Sequence, residues 1–336
     1  MSKKNIKCPI CKKSIENRKF LRKYFFSYGN QEYKLYHCLK CDLQFWYPLK
    51  IFPKLYENEV FEGYIEMHVG TRKMPEWQKI FTKNFIDKKR TLLDVGCGNG
   101  IFIKEMEKIG FNVYGIDFDG KSIEIAKEKY GLLNTYNMSI ESFAIFAEKN
   151  NLKFDTITFF EVLEHQDDPT NFIKAAKKLL KPGGYIAGSV PDRKRPFVER
   201  ERKLNDGDFP PHHFLWFNKK SLKYLFEEEN FTDIKFYPVK LNFWYYAAFL
   251  EATLLGGFGK KIKLELKRIF VNPKDRKELI YSLDTLQKIN KGNKSLWILQ
   301  FLRFIRSLIF LPLAIILFPF FINNGYQIYF QAKSKN

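Results

Sequence analysis

Between Thr91 and Val190 the chain alternates short apolar runs with segments of helical period. Leu92–Val95, Asn112–Ile116, Leu133–Tyr136, Phe154–Phe160 and Gly184–Val190 have strand length and composition. Between them Ile101–Ile109, Lys121–Tyr130, Ile140–Glu148 and Thr170–Leu180 repeat apolar residues at helical intervals, so each is read as a crossover helix. Strand and helix in strict alternation predict a doubly wound, mostly parallel α/β sheet. Beyond it Asn218–Glu229 reads as a helix, Thr232–Val239 as a strand and Gly325–Lys333 as another. Upstream, Trp77, Ile80, Phe81, Phe85 and Ile86 recur at helical spacing within Thr71–Asp87, a helix expected to cap the strand ends.

The flanks carry other patterns. Lys19–Tyr28 and Glu32–Tyr36 read as the arms of a ribbon, followed by a proline-containing connector and an aromatic stretch, Tyr56–Tyr64. Near the other end residues 241–255 are almost wholly apolar, 260–294 are basic and helical in pattern, and Ser307–Ile322 carry no charge. Sixteen uncharged residues approach a membrane span without reaching it, and Pro312 and Pro319 interrupt them.

Cysteine usage adds a metal. Cys8-Pro9-Ile10-Cys11 and Cys38-Leu39-Lys40-Cys41 stand 26 residues apart, and two such knuckles supply the four thiolates of a structural Zn²⁺ site. The fifth cysteine, Cys97, reads as a small residue in a tight turn. Across 336 residues, 45% apolar and 17% aromatic content excludes disorder. The +20 charge is uneven: residues 259–336 hold fifteen Lys and Arg against four Asp and Glu, beside the most apolar segment. Basic next to apolar points to a membrane surface. Met1–Cys8 lacks the apolar stretch of a signal peptide, so the body is expected in the cytoplasm.

The chemistry concentrates where the first apolar run ends. Asp94-Val95-Gly96-Cys97-Gly98-Asn99-Gly100 places glycine at every second position behind a carboxylate, unlike the Gly-x-Gly-x-x-Gly of dinucleotide folds. A carboxylate there repels a pyrophosphate and suits a cationic or zwitterionic ligand. Val113–Asp117, the next apolar run, ends on a second acid. These residues, with Glu161-Val162-Leu163-Glu164-His165 after the fourth run and Lys181-Pro182-Gly183-Gly184 before the fifth, resemble the class I S-adenosylmethionine-dependent methyltransferases over roughly residues 75–240.

That resemblance implies a seven-stranded Rossmann-like sheet closed by a final antiparallel strand beside the sixth, which makes residues 241–324 an insertion. It implies S-adenosyl-L-methionine held by Asp94, Gly96, Cys97, Gly98 and Gly100 at its methionine end. Asp117 and Phe118 would meet the ribose, and Met138, Ser139 and Ile140 the adenine, although the family's usual acid is missing from that last loop. Glu161, Glu164 and His165 look like the motif of the ubiquinone-pathway O-methyltransferases, which implies a divalent cation at the acceptor hydroxyl; lining the cofactor pocket is the plainer role for Glu161 and His165. The segment Pro210–Phe217 is similar to one lying over the acceptor pocket in this subgroup, so His212 or His213 is the expected general base, with Glu161 and His165 as further catalytic candidates. Asp192, Arg193, Lys194 and Arg195 could receive an anionic acceptor or face solvent.

The expected organisation is a zinc ribbon (1–47), a connector and cap helix (48–90), the cofactor-binding core (91–240), a basic and apolar helical insertion (241–324) and the last strand with its tail (325–336). A single membrane crossing would strand that last strand on the wrong side. Leu296–Ile322 is therefore expected to be monotopic or re-entrant, with Arg303 and Arg306 at headgroups, at the inner face of the cell membrane; an apolar subdomain or dimer face is the competing reading. The expected activity is methylation, on oxygen, of a glycan, a lipid-linked intermediate or a related metabolite. A zinc ribbon on a +20 chain also fits RNA, which stands as the alternative acceptor, and a scaffold that binds the cofactor without catalysis is a third reading. The oligomeric state is left open.

Overall fold

The structure, a computed structural model, describes residues 6–15, 20–26, 30–50, 74–85, 90–204, 206–240, 310–319 and 325–335, with 243, 246, 247 and 250. The aromatic stretch Tyr56–Tyr64, the basic segment 260–294, Arg303 and Arg306 lie outside the described residues. Two compact units emerge, one drawn from Met1–Arg195, Asp206–Val239 and Gly325–Asn336, the other from Pro196–Asn205 and Lys240–Asn324.

The first unit begins with three strands, β1 (Phe20–Phe26), β2 (Gln31–His37) and β3 (Gln44–Tyr47). Helix α1 (Glu76–Phe85) follows; it buries Trp77, Phe81 and Phe85, one face at four-residue spacing. Then come β4 (Thr91–Val95), α2 (Ile101–Lys108), β5 (Asn112–Asp117), α3 (Gly120–Tyr130), β6 (Thr135–Asn137), α4 (Ile140–Lys149) and β7 (Phe154–Phe160). A short 3₁₀ turn, Leu163–His165, leads to α5 (Pro169–Leu179) and β8 (Leu180–Pro191). The chain passes through α6 (Val198–Leu204), which belongs to the second unit, and a 3₁₀ turn, Asp206–Asp208. It then forms β9 (Leu215–Trp216), α7 (Lys219–Glu228) and β10 (Phe231–Lys240), and closes with β11 (Gly325–Ser334). In the second unit, residues 310–319 form helix α8. No helix among the described residues is long and apolar enough to cross a membrane.

The main sheet runs β10-β11-β8-β7-β4-β5-β6, with β4 parallel to β5 and β7, β5 to β6, and β7 to β8. β11 lies antiparallel to β8, between the fifth and sixth strands of this sheet, as the seven-strand expectation requires. Central strands are apolar because helices cover both faces: Leu92, Leu93, Asp94 and Val95 are all buried. Helix starts follow cap chemistry. Asp168 accepts from Asn171 N ahead of Pro169, and Asn218 and Ser221 form a reciprocal capping box. The Lys181–Gly184 turn loops out of β8, whose pairing with β7 jumps from Phe154↔Leu180 to Thr156↔Tyr185.

The second sheet, β1-β2-β3-β9, includes two strands absent from the sequence reading, β3 and β9. β9 is two residues long and pairs with β3 through Gln44↔Trp216 and Phe45↔Leu215. It ties the cysteine module to the core. Trp46 N also donates to Phe214 O, and Thr170 Oγ1 to Pro9 O.

Candidate functional site

The β4–α2 loop is held by its neighbours' backbones. Gly96 N and Cys97 N both donate to Ile116 O, while Gly98 N donates to Asp117 Oδ2 at 2.8 Å. Gly96 has φ +76°, and a Cβ there would sit 2.5 Å from Val162 Cγ2, so only glycine fits. Cys97 is small for a reason: its Sγ lies 2.7 Å from where Gly115 would carry a Cβ.

This loop forms one wall of a cavity of about 440 Å³. Asp94, Gly96, Cys97 and Gly98 line it, as do Asp117 and Phe118 across from them. Met138, Ser139 and Ile140 form another part of the wall, and Glu161, His165, His212 and His213 lie on it as well. Gly100 does not. Its left-handed turn faces Leu132, whose Cδ1 would be 2.4 Å from an added Cβ, so it packs the start of α2 rather than the cavity.

The wall is acidic. Asp94, Asp117, Glu141 and Glu161 line it, with neither lysine nor arginine among the lining residues. Burial pushes the Asp94 carboxyl up to about 8, with Asp117 adding repulsion and the Thr158 hydroxyl, 2.6 Å from Oδ1, pulling the other way. Asp117 is raised to about 6, again by burial, against the N–H groups of Asp119 and Gly98 that it accepts. Two buried carboxyls on a wall without lysine or arginine suit a ligand with positive charge, and a sulfonium with an α-ammonium supplies it. The cavity fits S-adenosylmethionine in the charge it demands.

The other end is built from two loops. Glu161, at φ +56°, directly follows β7; its N donates to Ser189 O and its Oε1 accepts from Gln327 Nε2 of β11. In the turn after it, His165 Nδ1 lies 2.6 Å from His212 O, and Phe214 N donates to Glu164 O, which joins this turn to the loop before β9. The rings of His165, His212 and His213 lie 4.5 to 4.8 Å apart. His213 Nδ1 is 3.1 Å from Asp208 Oδ1. Glu164 is 1% exposed, and neither carboxylate oxygen accepts a hydrogen bond among the described residues. Burial, then Glu161, holds its carboxyl well above the usual carboxylate range. Burial likewise presses His165 down to about 3 and His212 well below the usual imidazole range, with His213 adding to both.

The expected divalent-cation trio of Glu161, Glu164 and His165 is not what the fold gathers. Glu161 is turned to Gln327, and the grouped ligand atoms are those of His165, His212 and His213, all within 4.8 Å of one another. The His212 and His213 rings stack at 17°, and His165 faces the backbone carbonyls of His212 and Glu161.

The four-cysteine site fits its metal. Cys8, Cys11, Cys38 and Cys41 bring their sulfurs together, with Cys8–Cys41 at 3.5 Å and Cys11–Cys38 at 3.4 Å. Lys12 and Asp42, each directly after the second cysteine of a knuckle, take matching left-handed conformations (φ 54° and 60°). Four soft ligands in tetrahedral reach suit a structural Zn²⁺.

Two basic residues read as an acceptor cradle are internal instead. Arg193 binds Asp42 through its carbonyl (2.7 Å) and carboxylate (2.8 Å), and Arg195 pairs with Asp208 at 3.1 Å. Both arginines are buried, so neither is presented to a ligand. Conversely, no local pattern marks Asp208, Gln327 or Tyr326 as site residues. Tyr326 packs edge-on against Trp77, and its hydroxyl is pushed up to about 12 by burial and then by Glu161.

Residues 69–235 match the family described as a methyltransferase domain. A ubiquinone biosynthesis O-methyltransferase of Paracidovorax citrulli is 37% identical over 106 residues, 31% of this chain and 44% of the relative. The enzyme of that name from Nitrosospira multiformis is 33% identical over 155 residues, 45% of this chain and 57% of the relative. The chain thus spans about half the length of the curated relatives it matches. Among solved structures, a SAM-dependent methyltransferase from Archaeoglobus fulgidus aligns over 82% of this chain and all of its own, at 14% identity and a TM-score of 0.45. The domain match, the strand order of the main sheet and the Asp94–Gly98 loop on an acidic cavity agree, and residues 69–235 of the chain belong to the class I S-adenosylmethionine-dependent methyltransferases.

Proposed function

We propose that the chain transfers the methyl group of S-adenosylmethionine to a hydroxyl oxygen of a small acceptor, a glycan, a lipid-linked intermediate or a related metabolite. The observation that carries this reading is the single cavity that has acid at one end and histidine at the other. Asp94, Gly96 and Gly98 would hold the methionine end, Asp117 the ribose hydroxyls, and Met138, Ser139 and Ile140 the adenine. The sulfonium is activated by its own charge. What the protein adds is in-line placement of the acceptor and a place for its proton. Burial keeps the imidazoles of His165 and His212 neutral, and His213 beside them lines the same end of the cavity, where that proton would be received. Oxygen is favoured over nitrogen because the relatives matched over the core are named O-methyltransferases.

A membrane-surface acceptor is supported by α8, which leaves Leu313, Ile315 and Ile316 exposed. The deciding experiment incubates the chain with methyl-labelled S-adenosylmethionine and fractionated extract. Label in a lipid, glycan or small-molecule fraction is the expected result; label in RNA, or none in any fraction, overturns the reading.

A further inference from the structure

Asp208 stands at the centre of an arrangement that the general-base expectation did not contain. One carboxylate oxygen, Oδ1, lies 3.1 Å from His213 Nδ1. The other, Oδ2, pairs with Arg195 at 3.1 Å. Its carbonyl accepts from the Trp216 indole N–H at 2.8 Å. Asp208 and Arg195 are both 8% exposed, so the aspartate is fixed on three sides and shielded from water. On the far side of the imidazole, His213 Nε2 lies 4.0 Å from Glu164 Oε1, the buried carboxylate that accepts no hydrogen bond among the described residues. His165 and His212 complete the ring of groups around it.

We propose that Asp208 is a positioning residue that holds His213 as its Nδ1–H tautomer, which makes His213 Nε2 the atom that takes the acceptor's proton. This rests on the methyltransferase reading above. A carboxylate bound to Arg195 can only accept from Nδ1, so the proton sits there and the Nε2 lone pair is left available. In the transfer, the acceptor oxygen forms its bond to the methyl carbon as the carbon–sulfur bond breaks, and that electron pair stays on sulfur. The acceptor O–H breaks and its proton goes to Nε2, giving S-adenosylhomocysteine, the methyl ether and an imidazolium. That imidazolium is held against the Asp208 carboxylate at Nδ1, while the Glu164 carboxyl, kept neutral by burial, lies 4.0 Å from Nε2.

Nitrogen NMR of histidine-labelled full-length protein, with and without S-adenosylhomocysteine, reads the tautomer directly, with His213→Gln assigning the signal. The expected wild-type result is protonated Nδ1 and bare Nε2. In Asp208→Asn the Arg195 guanidinium claims the amide oxygen, which turns the NH₂ towards His213, so the tautomer should invert. Methyl transfer should then fall by roughly 10²- to 10⁴-fold with S-adenosylhomocysteine affinity unchanged. A wild-type Nε2–H tautomer, no change in Asp208→Asn, or a metal ion that the chain loses in His213→Gln would overturn the proposal. If Asp208→Asn does not fold, the wild-type spectrum alone decides. Calorimetry with S-adenosylhomocysteine separates the two readings: no binding removes the methyltransferase reading, whatever the tautomer.

Discussion

A carboxyl buried in the cavity wall makes the ligand-free protein respond to pH in a calculable direction. Asp94 is raised from its ordinary 3.8 to about 8, so the folded state binds a proton that the unfolded chain releases between those values. Its stabilising contribution is full below pH 3.8 and is lost as pH rises towards about 8. His165, lowered from 6.5 to about 3, works in the opposite sense: its contribution is lost as pH falls from 6.5 towards about 3 and is full, with no further slope, above 6.5. Above 6.5 the carboxyls alone remain, Glu164 acting in the same direction as Asp94. The melting temperature of ligand-free protein should therefore fall with rising pH above 6.5, less steeply in Asp94→Asn, and S-adenosylmethionine should restore it most at the alkaline end. Differential scanning calorimetry over a pH series checks this. A second substitution tests the loop: Gly96→Ala meets both the positive φ and Val162 Cγ2, so affinity for S-adenosylhomocysteine should drop by about tenfold or more. Val162→Ala in that background should recover part of the loss, because it removes the collision and leaves the strained φ.

Among the elements, the short pairing of β3 with β9 has the widest reach. It places the loop carrying His212 and His213 immediately before a strand that is itself the edge of the cysteine module's sheet. Asp42, next to Cys41, reinforces the joint by accepting from Arg193 and from Asn218 Nδ2 (2.8 Å) and by facing His37 Nε2 (2.7 Å). Those donors hold its carboxyl well below the usual carboxylate range despite burial. Asp42→Ala leaves the Arg193 guanidinium buried without its anion and should cost about 3 kcal/mol, read as a lower urea midpoint. Chelation of the cysteine site should lower the same midpoint, and the two effects should be less than additive because they loosen one joint. The contrast between the loops shows what could be read in advance. Asp94–Gly100 announces itself because its backbone geometry is encoded locally, by glycines at fixed spacing. β9 and the Asp208–His213 contact could not be foreseen, since a two-residue strand exists only by virtue of β3, some 170 positions earlier. Arg193 and Arg195 misled for the same reason: their partners, Asp42 and Asp208, are neighbours only after folding.

For the molecule as a whole, α8 is ten residues long, about 15 Å at helical rise, against a hydrocarbon core of about 30 Å. Membrane contact through it would have to be superficial. Full-length protein should co-sediment with anionic vesicles at low salt, and Leu313→Asp combined with Ile316→Asp should abolish this; no co-sedimentation of the wild type would count against a membrane-surface acceptor. The place of β11 has a consequence of another kind. It separates β8 from β10 in the main sheet, yet residues 241–324 stand between β10 and β11 in the chain. At about 5–20 residues per second, a ribosome needs about 4–17 s to travel that interval. During synthesis, then, β8 and β10 emerge as consecutive strands of the main sheet with a one-strand gap between their final places. The nascent sheet must keep that slot from closing on itself until the strand that fills it has been made.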